Sequence, residues 1–415
     1  MLLGGIMKIL KKLASTSLVV RILAGLVVGA ILGLVVPGEE WISIFGELFV
    51  SALKAVAPVL VFVLVSASLA SAKGGHAEKF RSVIFFYLLS TMTAAVAAVF
   101  INFIFQVKVP LEAANASTEN LAPPGSVREI LSSLFKSIVS NPIESLSQGN
   151  YIALLFWAVI LGIALKNAKD STKSFLNDMA DALSLVVSWI IKCAPIGIMG
   201  LVFNAVSTSG LAIFKDYGTL VLLLVCSMLF TAFVINAIIV GIALRRNPYP
   251  LILYCMKRSA LTAFFTRSSA ANIPVNMELC KDLGLNEEMY SVSIPLGSTI
   301  NMDGAAVVIT TLTLVAAHTT GVKVSLPMAI LLSIVATLSA CGTSGVAGGS
   351  LLLVPLGCSM FGIPSDIAMQ MVGIGFIISV IQDSMETALN SSGDAIFTAT
   401  AEFRSWLKEG KELPL

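Results

Sequence analysis

The chain has 415 residues, of which 57% are hydrophobic and only 12% charged, with a formal net charge of +2. Soluble domains run near 45–50% apolar and about 25% charged, so this composition excludes a soluble enzyme and a disordered scaffold. So even a balance of charge also excludes a nucleic-acid binder. What is left is a protein that crosses a membrane many times.

A spanning helix needs roughly 20 mostly apolar residues. Such runs occur near residues 15–36, 42–71, 82–105, 130–165, 180–208 and 218–244, the second and fourth long enough to be tilted or broken. Lys8, Lys11 and Lys12 precede the first run, which ends at Pro37-Gly38-Glu39-Glu40 without a small-x-small cleavage site. It therefore reads as a retained first helix rather than a removed signal. Basic residues return in alternate connections: Lys73/Lys79/Arg81, Lys166/Lys169/Lys173 and Arg245/Arg246. The positive-inside rule then places the N-terminus in the cytoplasm and brings the chain back there after six crossings. The tail at 404–415, with Arg404, Lys408 and Lys411, asks for the same side.

The last third departs from this pattern. An apolar run from Leu251 to Phe265 carries Lys257 and Arg258 and breaks at Thr266-Arg267-Ser268-Ser269. From Ala329 to Ala340 lies a second short arm, about 18 Å of helix at ~1.5 Å per residue. A glycine- and serine-rich stretch, 341–349, joins it to another short arm, Ser350–Phe361. Half-span arms around an irregular tip predict re-entrant hairpins, which survive at membrane depth only under cover of protein or a water-filled cavity. Two further spans complete the chain, Tyr290–Thr320, interrupted at Asn301-Met302-Asp303-Gly304, and Ile367–Ala401. The expected architecture is an all-α polytopic membrane protein. It has eight transmembrane helices and two re-entrant hairpins, at about 250–279 and 329–361, with helices 7 and 8 at about 290–320 and 367–401.

Intramembrane carboxylates cost about 2.5–3.5 kcal/mol each on insertion scales and mark ion or substrate paths. Asp383, Thr387, Asn390 and Asp394 fall at i, i+4, i+7 and i+11, so one helix face presents all four. Oxygen ligands of this kind suit a hard monovalent cation, and a carboxylate also suits an ammonium. Asn301-Met302-Asp303-Gly304 predicts unwound backbone whose carbonyls coordinate a cation. The six cysteines form no CxxC pair and read as small buried hydrophobes, and His76 and His318 offer no zinc site.

Thr266–Ser269, the run SIPLGSTINMDG at 293–304, Gly342–Gly349 and Asp383–Asp394 resemble, in order and spacing, the dicarboxylate/amino acid:cation symporter family. This is the fold of glutamate transporters, and the likeness covers nearly the whole chain. It implies inverted repeats and a scaffold drawn mainly from residues 1–244, whose third helix joins a transport core at 245–403. It also implies elevator-type alternating access, a homotrimer in the bacterial cytoplasmic (inner) membrane, and sodium ions as co-transported cargo. Carried over position by position, a first sodium site takes Gly297, Asn301, Asn390 and Asp394. A second takes Tyr87, Ser90, Thr91, Asn301 and Asp303, and a third takes Thr299, Ala340, Cys341 and Thr343. Substrate contacts fall to Ser268, Ser269, Val346, Gly348, Asp383, Glu386, Thr387 and Asn390.

Two departures bear on the substrate. Carriers of acidic amino acids in the family place an arginine three residues after the ammonium-binding aspartate, and a threonine directly after the NMDG stretch. Here those positions hold Glu386 and Ala305. A carboxylate side chain would meet a carboxylate in a low-dielectric pocket, which repels, whereas a small hydroxyl side chain can donate to Glu386 or bond Thr387. Serine and threonine fit. Glu386 turned toward Arg267 as a structural pair is the competing arrangement. Proton coupling, or a broader range of neutral and acidic substrates, is the alternative function. An intramembrane serine hydrolase at Gly342-Thr343-Ser344-Gly345 lacks a placed base, and a passive channel would want a continuous lined pore.

Overall fold

A computed structural model describes residues 16, 18–71, 77–111, 139–148, 150–341 and 348–414; among them all regular structure is helical. The first helices are α1 (Leu18–Val35), α2 (Glu40–Ser71) and α3 (Ala77–Ile104). Although α2 carries Pro58, it runs unbroken for 32 residues. The expected run at 130–165 is not one helix in its described part. Pro142–Gln148 (α4) and Tyr151–Ala164 (α5) are separate, because Asn150 caps α5 by accepting from the Ala153 N–H at 3.3 Å. The expected span 180–208 is also split. Asp170–Lys192 (α6) and Ala194–Ser209 (α7) part at Cys193, with proline in the first turn of α7, where its missing N–H is harmless.

Ile213–Phe230 (α8) and Asn236–Leu244 (α9) form one long span through a five-residue π-turn, Thr231–Ile235. A second π-turn, Met256–Ala260, joins Tyr249–Cys255 (α10) to Leu261–Thr266 (α11). Arg267 closes α11 in the left-handed region (φ 52°), and Ile273–Asp282 (α12) follows. Glu287–Ile300 (α13) starts on an Asn286 cap with two glutamates in its first turn, a favourable pairing with the helix dipole. It ends at Asn301 and Met302, which leave helical geometry, and Asp303–Thr320 (α14) resumes at once. The expected interruption at 301–304 is therefore present, and it is two residues long.

Leu326–Ala340 (α15) and Val354–Met360 (α16) flank the stretch 341–353, of which residues 342–347 lie outside the described set, Thr343 and Val346 among them. The last expected span, 367–401, is corrected most. Ser365–Ile377 (α17) and Ser379–Lys408 (α18) meet at Ile378 with a bend of 83°, although no proline stands there. Among the described residues, counted by length and composition, five continuous helical stretches can cross a bilayer: Glu40–Ser71, Arg81–Ile104, Asp170–Lys192, Gly210–Leu244 and Glu287–Thr320, with the bent pair as a sixth. Large apolar side chains such as Val27, Ile31, Ile104, Leu222, Ile242 and Phe265 stand exposed. So much exposed apolar surface is a lipid-facing pattern rather than a water-facing one. Two of the six cysteines, Cys193 and Cys226, are exposed as well, rather than buried as expected.

Packing divides the molecule. In one group α7 lies against α1 and α2, and α2 against α5 and α6. In the other, α18 is surrounded by α3, α8, α9 and α11–α14, while α14 also packs on α3, α15 and α16. The short helix α17 touches both groups. A cavity of about 380 Å³ lies on that seam, between Glu47 and Val50 of α2, Leu201 and Thr208 of α7, and Asp366 and Gly373 of α17.

Candidate substrate and cation site

The polar side chains collect where the break between α13 and α14 meets α3 and α18. Asn301 and Asp303 are fully buried, and Asp394 is 1% exposed. From α3, the hydroxyls of Ser90 and Thr91 donate to Asp303 Oδ1 at 2.8 and 3.0 Å, and Ser90 also lies 3.1 Å from Asn301 Oδ1. The Met302 N–H, freed by the break, donates to Thr91 Oγ1 at 3.1 Å. Asn301 turns its amide to α18, donating to the Asn390 carbonyl at 3.0 Å and to Asp394 Oδ1 at 3.1 Å. The Gly304 N–H, at the start of α14, donates to Asn390 Oδ1 at 2.7 Å. The Met302 and Gly304 N–H groups released by the interruption thus find side-chain acceptors on neighbouring helices, which helps the break persist in an apolar core.

Gly297 is a spatial requirement. A Cβ there would stand 2.7 Å from the Tyr87 hydroxyl and 2.8 Å from Asp394 Oδ1. The Tyr87 hydroxyl sits within 2.8–3.1 Å of Thr398 Oγ1 and of the Ser293 and Asp394 carbonyls. Asp394 Oδ2, in contrast, is buried with no hydrogen-bond partner among the described residues. A buried carboxylate oxygen without a donor is costly, and carbonyls, hydroxyls and carboxylates around it are the ligand set of a hard monovalent cation.

A second cluster lies one to three turns back along α18. Asp383 receives Arg267 from the α11 end, with Nε and Nη2 at 2.7 and 2.6 Å from Oδ2. The expected competitor, an Arg267–Glu386 pair, does not form. Glu386 Oε2 instead accepts from Ser350 at 2.7 Å and from Gln382, and Oε1 accepts no hydrogen bond among the described residues. The Gly348 main chain lies close to Asp383, and the positive φ of Gly348 (67°) suits a residue without Cβ. Thr387 spends its hydroxyl on the Asp383 carbonyl at 2.8 Å. Gly304 lets α14 approach this part of α18, since a Cβ there would meet the Glu386 backbone at 2.8 Å.

The remaining expected residues join less directly. Thr299 bonds its own turn at Leu296. The Cys341 Sγ lies 3.4 Å from the Ile300 carbonyl, which brings the end of α15, with buried Ala340, beside the end of α13. Ser268 accepts from the Ala271 N–H within its own turn, and Ser269 sits half-buried beside it. Several participants went unsuspected. Asn236, Ser293 and Thr398 belong to the cluster around Asp303 and Asp394, and Ser350 and Gln382 to the one around Asp383 and Glu386. Asn236 carried a signal, being a lone amide in the apolar run Ala232–Leu244. Behind the Arg267 turn, Asn272, which precedes α12, and Asn276 within it donate to Ser391 at 2.8–3.1 Å, and Asn272 also to Ser259 at 2.9 Å. These bonds pin both arms around Arg267 to α18.

An all-helical, multi-pass arrangement with buried carboxylates on a broken helix defines a membrane transporter. The family model of the sodium:dicarboxylate symporter family matches residues 18–402, and the chain belongs to that family. A protein named serine/threonine transporter SstT from Bifidobacterium adolescentis is 54% identical over 399 residues, covering 96% of this chain and 92% of its own length. One of the same name from Streptococcus agalactiae is 53% identical over 395 residues, covering 95% and 98%. These relatives are named as transporters, not as enzymes.

Proposed function

We propose that the protein is a sodium-coupled symporter that imports serine and threonine across the cytoplasmic membrane, with both termini inside. The observation that carries this reading is the closed set of buried oxygens around Asp303 and Asp394, one of whose carboxylate oxygens has no donor. Sodium, as cargo, takes Asp303 with Ser90, Thr91 and Asn301, and Asp394 with Gly297, Asn301 and Asn390. The hydroxyl hydrogens that now point at Asp303 turn outward when the cation arrives. Thr299, Ala340, Cys341 and Thr343 supply the third position implied by the family.

Substrate binds at the other end of the face. Its ammonium takes Asp383 in competition with Arg267, and Asn390, Ser268, Ser269, Val346 and Gly348 line the rest. Glu386 has one oxygen occupied by Ser350 and Gln382, so Oε1 is left for a substrate hydroxyl, while an acidic side chain is repelled. The Ser350–Glu386 bond joins the α15–α16 arms to this floor, so opening of those arms as a lid has a direct contact to break. The site-bearing body, α3 with α8–α18, moves against the α1–α2–α5–α6–α7 scaffold along the seam at α17. The chain works as a homotrimer.

Purified protein in liposomes tests this. Labelled serine should accumulate under an inward sodium gradient, be competed by threonine, and resist glutamate. Accumulation under a proton gradient alone would overturn the coupling ion, and equal competition by glutamate would overturn the role of Glu386.

A further inference from the structure

The span that holds Asn236 contributes nothing else polar to the cation cluster. From Ala232 to Leu244 every other residue is apolar or glycine, and Asn236 is fully buried. An amide placed there is retained only if it has a partner worth its desolvation. Its Nδ2 lies 3.3 Å from Asp303 Oδ2, while the Ser90 and Thr91 hydroxyls both go to Oδ1. Donors are thus sorted between the two carboxylate oxygens. Asn236 Oδ1 has no partner among the described residues, so the surroundings offer the amide nothing beyond Asp303. A nitrogen facing the carboxylate is also the only favourable orientation, because an amide oxygen there would repel it.

Local backbone agrees. The five-residue π-turn Thr231–Ile235 ends immediately before Asn236. One residue fewer would restore α-helical register and swing every following side chain by about 100°, taking Asn236 off Asp303. Such turns inside helices are rare and cluster at functional sites.

We propose that Asn236 is a positioning residue for the cation at Asp303: presented by the π-turn, it holds Oδ2 so that Oδ1 stays turned toward Ser90 and Thr91, where the cation is received. This rests on reading the Asp303 cluster as a cation site. The carboxylate otherwise rotates about its terminal torsion, and the ligand set loses its register.

The test uses full-length protein and sodium itself as the probe. In detergent, the thermal midpoint is followed against sodium concentration, and in liposomes serine uptake is followed against the same variable. Asn236→Leu, close in volume and without a donor, should raise the half-saturating sodium concentration about tenfold in both assays. The serine KM at saturating sodium should stay within twofold, and any fall in the sodium-free midpoint should still leave a folded protein whose midpoint rises with sodium. An unchanged sodium dependence in folded Asn236→Leu overturns the inference. If that variant does not fold, Asn236→Gln, which keeps the donor but displaces it, should shift sodium dependence about threefold, and no shift overturns it equally. Asp303→Asn separates the two levels. If it keeps the wild-type sodium response, the cation-site reading fails; if it loses the response while Asn236→Leu keeps it, only the role of Asn236 fails.

Discussion

The two packed groups of helices solve the same problem by opposite means. Around α7, contact is made by absence. Gly25, Gly29 and Gly33 of α1 recur every fourth residue, and a Cβ on them would stand 2.1, 2.3 and 2.9 Å from the carbonyls of Pro195, Met199 and Phe203. A Cβ on Gly200 would likewise stand 2.4 Å from the Gly46 nitrogen of α2. Helices in lipid gain little from hydrophobicity, so small residues that let backbones approach give the packing. Around α18, contact is made by polar side chains. From Ser379 to Phe403 most residues are buried, and Asp383, Glu386, Asn390 and Asp394 all bond to another element or to a side chain on their own helix. Among the described residues the first group shows no buried ion pair, whereas the second holds charged and amide groups that a ligand can re-pair. The alternating access proposed above would use the first group as its frame and the second as its moving core.

Substitutions can break this contrast, beginning where it is sharpest. Asp394→Asn or Asp383→Ala should reduce concentrative serine uptake more than ~100-fold, as expected for groups buried to receive charge. The protein should still elute as a folded species in detergent, and normal uptake would remove these residues from the site. Gly29→Leu forces α1 off α7 and should cost about 3 kcal/mol, read as a lowered thermal midpoint. Its half-saturating sodium concentration should not move, and a shift there would show that the two groups are not independent.

Arg267→Ala leaves Asp383 buried and unpaired, at a cost of about 3 kcal/mol. Combining it with Asp383→Asn should restore much of that stability, so the double-mutant cycle reads the pair directly. A purely additive result would mean that the two groups do not couple in solution. Smaller again is the change in selectivity from Glu386→Arg with Ala305→Thr. Competition by glutamate or aspartate should strengthen about tenfold, equivalent to ~1.4 kcal/mol. Selectivity that stays put would place Glu386 outside the pocket. Thr398→Val removes the 2.8 Å partner of the Tyr87 hydroxyl and should cost about 1 kcal/mol. The Ser293 and Asp394 carbonyls would still receive the Tyr87 hydroxyl.

Much of this was written in the one-dimensional chain. Membrane residence followed from composition, because apolar excess admits no other solvent. The helical face Asp383–Thr387–Asn390–Asp394 followed from spacing, because 3.6 residues per turn leaves no freedom about which positions align. The interruption at Asn301–Met302 followed from adjacent Asx residues and glycine in an apolar span. Local signals sufficed wherever the cause was local.

What tertiary structure alone decided was partnership and bending. Arg267 lies 116 positions from Asp383 and 119 from Glu386, and nothing in either spacing says which carboxylate it meets; the left-handed turn at Arg267 and the packing of α11 on α18 choose Asp383. Asn236 reaches Asp303 only because an extra residue in a π-turn rotates it there, and that insertion has no signature in composition. The 83° bend at Ile378 carries no proline; it is set by what α17 and α18 pack against on either side. Periodicity is a property of one helix, so it can name the residues on a face. Which face meets which partner is a property of two, and it is settled only when they pack.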